Sequence, residues 1–289
     1  MVQDYVFPGT VEQAVAMLAE SKGRARVIAG GTDLVLDMRD GKITADKLVD
    51  LRAIDGMQRI VEHDDSISIG ASVTHSQIVR STLLRHHAPG LVDACRKVGS
   101  LQIRNVATVV GNVVNGNPAA DAAVALACLD ATATVVDEQG TRTIPFNELY
   151  AGICISCINS SCQIVTQISF PKKKAGEGSS YIRMEQRKAL SLPMLNVSSK
   201  VRVINSQFQD VQLLMAPVGA GPQHAVTAED FLMGKDITDE NIRQAGVLAR
   251  EQATFRSSAV RGSKEYRIGV LPVCVERALR AAIADAQEG

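Results

Sequence analysis

The stretch Arg26-Val27-Ile28-Ala29-Gly30-Gly31-Thr32-Asp33 constrains the fold most. A short apolar run that ends on paired glycines and re-enters a helical pattern at Leu34, Val35 and Met38 predicts a strand, a tight turn and a helix in succession. Upstream, Thr10 followed by Gln13 has the form of a capping box, and Val11, Ala14, Val15 and Leu18 then share one helical face. Further strands are predicted at Lys47–Leu51 and at Ser66–Gly70, where Ile67 and Ile69 alternate with serines as a half-buried strand requires. The first part of the chain is therefore α+β.

Between Leu91 and Asp130 the pattern gives a helix over Leu91–Val98, a mixed segment Gln102–Thr108, a strand-like Val109–Val114 and a turn at Asn115-Gly116-Asn117-Pro118. Asp121 opens another helix, where a carboxylate in the first turn suits the helix dipole. Thr132–Val136 and Thr141–Ile144 flank Asp137-Glu138-Gln139-Gly140 as a hairpin. The charged run Pro171–Gly178, with Lys172-Lys173-Lys174 as a solvated linker, predicts an exposed connection. It divides the 289 residues into domains 1–174 and 175–289, in line with a chain too long for a single core. Strands at Tyr181–Glu185, Asn196–Val203 and Val211–Val218 then precede helices near Asp239–Gln252 and Ser263–Ala286. That order favours a sheet with helices on one face over a doubly wound parallel sheet.

Lys and Arg total 31 against 31 Asp and Glu, which removes the long-range attraction that nucleic acid or an anionic membrane would need. No Trp is present and only 3% of residues are aromatic, so stacking platforms for single strands are missing as well. With no leading basic and apolar segment and no run of bilayer-spanning length, a cytoplasmic protein is expected. Its six cysteines then read as reduced thiols. Cys154, Cys157 and Cys162 are soft ligands in a short stretch, as in an iron–sulfur or zinc site, but a closed site needs a fourth ligand; the other reading is a loop with incidental thiols. His75, His86 and His87 have no carboxylate spacing around them that makes a ligand set, and Gly219-Ala220-Gly221 is a turn. No catalytic side chain and no metal ligand is predicted.

The chemistry points to the glycine turns, because glycine lets backbone N–H groups approach a diphosphate with no side chain between. Ala29-Gly30-Gly31-Thr32-Asp33 offers consecutive amides and the Thr32 hydroxyl. Thr108-Val109-Val110-Gly111-Asn112 offers a second set with the Thr108 hydroxyl and the Asn112 amide. On spacing alone, each is equally a structural turn.

The longer run Gln102-Ile103-Arg104-Asn105-Val106-Ala107-Thr108-Val109-Val110-Gly111-Asn112, continued by Asn117-Pro118-Ala119-Ala120-Asp121, resembles the second FAD-binding segment of the flavoprotein subunits of molybdenum hydroxylases. These are the carbon monoxide dehydrogenase medium chain and xanthine dehydrogenase FAD-binding subunit family, which share Ile-Arg-Asn, Thr-x-Gly-Gly-Asn, then Pro and Asp. Their first segment, Ala-Gly-Gly-[Ser/Thr], is matched by Ala29–Thr32, and Ser263–Arg267 with Leu271–Ala281 resembles their closing helix.

The resemblance implies a two-lobed FAD-binding domain of the PCMH and vanillyl-alcohol-oxidase type, followed by a smaller α+β domain with an antiparallel sheet and helices. It implies FAD held by Ala29, Gly30, Gly31, Thr32 and Asp33 and by Thr108, Gly111 and Asn112, a hydrogen bond from the cofactor to Asp121, and Arg187–Ser191, with Lys188, near the flavin edge. It also implies two partners, an iron–sulfur (2Fe-2S) subunit and a molybdopterin-binding large subunit. Two departures stand out. Val110 replaces a glycine and is expected to crowd the diphosphate and weaken FAD binding. Ser191 replaces an aspartate and removes a charge. The rival readings are a free-standing FAD-dependent reductase of related fold and a scaffold subunit with weakened FAD binding.

Overall fold

Local sequence closes the first helix as expected: the Thr10 hydroxyl accepts from the Gln13 N–H at 3.2 Å, and the Gln13 side chain accepts from the Gly9 N–H at 2.8 Å. The computed structural model describes residues 2–188, 190–255, 258 and 262–288. Its backbone separates into two compact units that a single cut after residue 174 does not produce. Met1–Gln77, Leu101–Gly116 and Asp130–Pro171 form the first, and Ile78–Ser100, Asn117–Leu129 and Lys172–Gly289 form the second.

The first unit opens with β1 (Asp4–Val6), α1 (Val11–Glu20), β2 (Ala25–Ile28), α2 (Leu34–Arg39) and β3 (Lys47–Asp50). The strands make a parallel sheet in the order β1-β3-β2, so the carboxyl end of β2 delivers the chain into Ala29–Asp33. Strands β4 (Ile60–Glu62) and β5 (Ser66–Gly70) and the start of α3 (His75–Arg80) follow. Antiparallel pairing then joins β4-β5-β10-β6-β7, where β6 is Thr132–Asp137, β7 Gly140–Pro145 and β10 Ile164–Pro171. Ile67 and Ile69 of β5 are fully buried, but Ser68 between them is buried as well, so the strand is covered on both faces and not half-buried as the alternation predicts. A small pair, β8 (Tyr150–Gly152) and β9 (Ile155–Ser156), completes the strands of this unit.

Its other helices are α6 (Leu101–Arg104) and α7 (Val109–Val114). Residues 109–114 are thus helical where a strand was expected. Runs of valine favour a pleated surface, but the Thr108 hydroxyl accepts from the Gly111 N–H at 3.1 Å and starts a helix instead. Val109, Val110 and Val113 then turn inward together.

The second unit holds α4 (Thr82–His87), α5 (Pro89–Lys97), α8 (Asp121–Cys128) and a four-stranded antiparallel sheet, β11 (Glu177–Glu185), β12 (Pro193–Ile204), β13 (Gln207–Ala216) and β14 (Gln223–His224). Helices α9 (Val226–Leu232), α10 (Asp239–Gln252) and α11 (Lys264–Glu288) end it. Leu195, Val197 and Val201 of β12 join the main core with α10 and α11. Asn196, between them, points the other way, towards α8, where its side-chain N–H reaches the Ala119 carbonyl at 3.3 Å. The sheet is covered on both faces, not one, because α5 and α8 pack on the second.

The expected linker is also shorter and less solvated than its composition suggested. β10 ends at Pro171 and β11 begins at Glu177, and the Lys173 ammonium, its side chain only 9% exposed, pairs with Asp285 at 2.9 Å. No helix among the described residues is long and apolar enough to cross a membrane.

Candidate functional site

Gly30 decides how the first unit is assembled around its turns. A Cβ at this position would stand 2.4 Å from the Val106 carbonyl oxygen and 2.9 Å from the Ala107 Cα, so the turn after β2 lies directly against the backbone that leads into α7. Gly31 has φ +68°, a conformation costly for any residue with a Cβ. The structure therefore brings Ala29–Asp33 and the segment leading into Thr108 together, and it does so through main chain. On the far side of that segment, the His75 N–H donates to the Ala107 carbonyl at 3.1 Å and the Val109 N–H to the Val73 carbonyl at 3.0 Å.

The N–H groups of Gly30, Gly31, Thr32 and Asp33 have no hydrogen-bond acceptor among the described residues. First-turn amides commonly turn to solvent, but here they form a consecutive run on a turn with no side chain at two of its positions. Asp33 occupies the cap position of α2 without capping it. Desolvation, then the nearby Asp37 charge, pushes its carboxyl up. Beside α7, the Thr108 hydroxyl accepts from Gly111, so one lone pair serves the helix while its proton and second lone pair remain for a ligand. The Asn112 Oδ1 is buried without a partner, an acceptor that burial makes costly to leave alone.

Val110 corrects an expectation. It is 4% exposed and sits in the body of α7, and it is not among the residues with positive φ. A helix places successive side chains about 100° apart, so Val110 points into the core while Gly111 stays exposed. The premise that Val110 crowds a diphosphate fails.

In the second unit, Asp121 is 7% exposed and its Oδ1 accepts from the Tyr181 hydroxyl at 2.6 Å and from Arg183 at 2.8 Å. Burial pushes its carboxyl up, against the pull of Arg183 and Tyr181. Sequence reasoning singled out Asp121 but missed Tyr181, Arg183 and Asn196. The alternation of Tyr181 and Arg183 with Ile182 and Met184 in a segment already read as a strand was the available signal. Lys188 is exposed in the connection that follows β11; Ala189 lies outside the described residues, and the Ser191 hydroxyl donates to the Leu192 carbonyl at 3.2 Å. His75, given no role from the sequence, is fully buried with neither ring nitrogen partnered, and burial, then Arg104, lowers its pKa to about 4. Among the described residues no group of three or more His, Cys, Asp or Glu side chains could hold a metal ion, Cys154, Cys157 and Cys162 included.

Comparison with known proteins adds the following. Residues 1–173 match the family described as the FAD binding domain in molybdopterin dehydrogenase, and residues 180–282 match the CO dehydrogenase flavoprotein C-terminal domain. The chain is 29% identical to the nicotinate dehydrogenase FAD-subunit of Eubacterium barkeri over 83% of each chain. It is 28% identical to the carbon monoxide dehydrogenase medium chain of Afipia carboxidovorans over 98% of each. Its fold superposes with a TM-score of 0.91 on a chain of the carbon monoxide dehydrogenase from Hydrogenophaga pseudoflava, at 24% identity and covering 99% of this chain and 98% of that one.

Proposed function

This chain belongs to the molybdopterin dehydrogenase FAD-binding family and its cofactor is FAD; we propose that, in a multi-subunit molybdenum hydroxylase, it takes electrons from a 2Fe-2S subunit and passes them to an external acceptor. The partners in this reading are that iron–sulfur subunit and a molybdopterin-binding large subunit. The observation that carries it is the run of N–H donors at Gly30–Asp33, backed by main chain at Val106–Ala107.

That arrangement fits a diphosphate. Its oxygens are strong acceptors, the amides need acceptors, and the missing Cβ at Gly30 lets the turn close on residues 106–107. In this reading Ala29, Gly30, Gly31, Thr32 and Asp33 bind the pyrophosphate through their backbone. Thr108, Gly111 and Asn112 complete the set, with the buried Asn112 Oδ1 accepting from a donor group of the cofactor and not from the diphosphate, and Asp121 accepts a cofactor hydroxyl. Bound FAD supplies the electron-transfer chemistry; the protein holds and orients it. The six free cysteines agree with a reducing, cytoplasmic location.

Purified full-length protein incubated with FAD and passed through gel filtration should emerge yellow with a flavin absorption spectrum. Gly30→Ala should weaken binding by at least about tenfold, since the added methyl meets backbone that cannot swing aside. Native purification should recover subunits carrying iron and molybdenum. Colourless protein would instead favour the scaffold, and a chain that runs alone and turns over a small organic substrate without metals would favour the free-standing reductase.

A further inference from the structure

The second unit contains a carboxylate whose side-chain partners all meet one of its two oxygens. Tyr181 and Arg183 stand two residues apart on β11 and therefore on one face, and Asn196 lies opposite Arg183 in the β11–β12 register. The Asn196 side chain donates to the Tyr181 oxygen at 2.9 Å, which commits the phenolic proton to Asp121 Oδ1, 2.6 Å away. Arg183 donates to the same Oδ1 at 2.8 Å. All described hydrogen bonds from other side chains to Asp121 end on that one oxygen; the further donor is its own backbone N–H, so no neighbouring side chain among the described residues reaches Oδ2. A carboxylate that is nine-tenths buried ordinarily fills the acceptor sites of both oxygens, because an unmet charged acceptor costs more than a neutral one.

Arg183 cannot turn to serve Oδ2. Its side chain is 2% exposed, and the guanidinium also donates to the Lys97 carbonyl at 3.0 Å and to the Ser191 carbonyl, with Glu185 at 3.0 Å. Lys97 pairs with Glu185 at 3.0 Å in turn, so the charges around Asp121 balance. We propose that Tyr181 and Arg183, steadied by Asn196, are positioning residues that occupy Oδ1 of Asp121 and present Oδ2 as an oriented acceptor for a hydroxyl group of the bound flavin nucleotide. This rests on the FAD reading above and goes beyond it by naming which residues aim the carboxylate and which of its oxygens is offered.

The test is FAD affinity measured by fluorescence titration on the full chain, with chemical denaturation of each variant in parallel. Tyr181→Phe should weaken FAD binding roughly tenfold, the scale of one charge-assisted hydrogen bond lost from a fixed geometry, and Asp121→Asn should do the same. In the Asp121→Asn background, Tyr181→Phe should have little further effect, because it acts only through Asp121. Arg183→Met should weaken binding and Arg183→Lys should recover most of it, separating the charge held at Oδ1 from mere packing. Variants that bind FAD like the parent, or a Tyr181→Phe effect that adds fully to that of Asp121→Asn, would overturn the proposal; so would an Asp121→Asn protein of unchanged affinity, whose Oδ2 would then face only water. Failure of the parent protein itself to bind FAD would strike the function proposed above instead, so the two outcomes are distinct.

Discussion

Val110 shows how one side chain can carry opposite meanings in sequence and in space. Where a close approach to phosphate would make Val110→Gly tighten FAD binding, its 4% exposure in α7 makes the substitution destabilising. Losing a buried valine and placing glycine inside a helix should together cost about 2–3 kcal/mol. Urea denaturation should register that loss while a FAD titration shows no gain; a tighter complex would mean that the loop reaches the phosphate in another way. His75 makes a second residue-scale prediction. Burial holds its pKa at about 4, below the ordinary value of about 6.5. The folded state therefore favours the neutral ring, so this contribution is complete above pH 6.5 or so and is lost as pH falls through about 4, by up to about 3 kcal/mol. Denaturation midpoints of the parent should fall over that window more steeply than those of His75→Phe, and parallel profiles would refute a buried neutral imidazole.

At the scale of elements, α11 is pinned to β11 at atomic contact. A Cβ on Gly178 would stand 2.1 Å from the Ala282 carbonyl oxygen, and Asp285 accepts both from Lys173 at 2.9 Å and from the Ser179 N–H at 2.8 Å. Asp285→Ala would leave a strand amide without its acceptor and a largely buried ammonium with only the residue-285 carbonyl and no counter-charge, at a cost of about 2–3 kcal/mol, below a fully buried pair because Asp285 is 22% exposed. Lys173→Met should cost less, since the apolar stem is kept. Hydrogen exchange should quicken across residues 264–288 in the aspartate variant first; the reverse order would show that the lysine stem, not the charge, holds the helix. Helices were legible where periodicity was long, and α10 has the bounds expected from its pattern. Val109–Val114 was misread because β-branched residues carry a strand preference that a single capping hydroxyl, Thr108, can outweigh. The seven-residue α9 was missed, being too short for its period to stand out.

Across the whole molecule, residues 78–100 and 117–129 pack with the chain after residue 171, so the unit that contains Asp121 is assembled from three separate stretches. No composition shift marks those crossings. The sequence by itself determined the features that depend on a few neighbouring residues: the Thr10 cap, the glycine turns and the run from Gln102 to Asp121 by which the family is recognised. Only the tertiary structure decided that Gly30 faces the Val106 carbonyl, that Val110 turns inward, that β12 is covered on both faces and that Asp121 is met by Tyr181, 60 residues further along the chain. The physical reason is range. Turn conformation and strand or helix periodicity are set by sterics and hydrogen bonds within a few residues, whereas burial and the choice of a distant partner exist only once the chain has closed on itself.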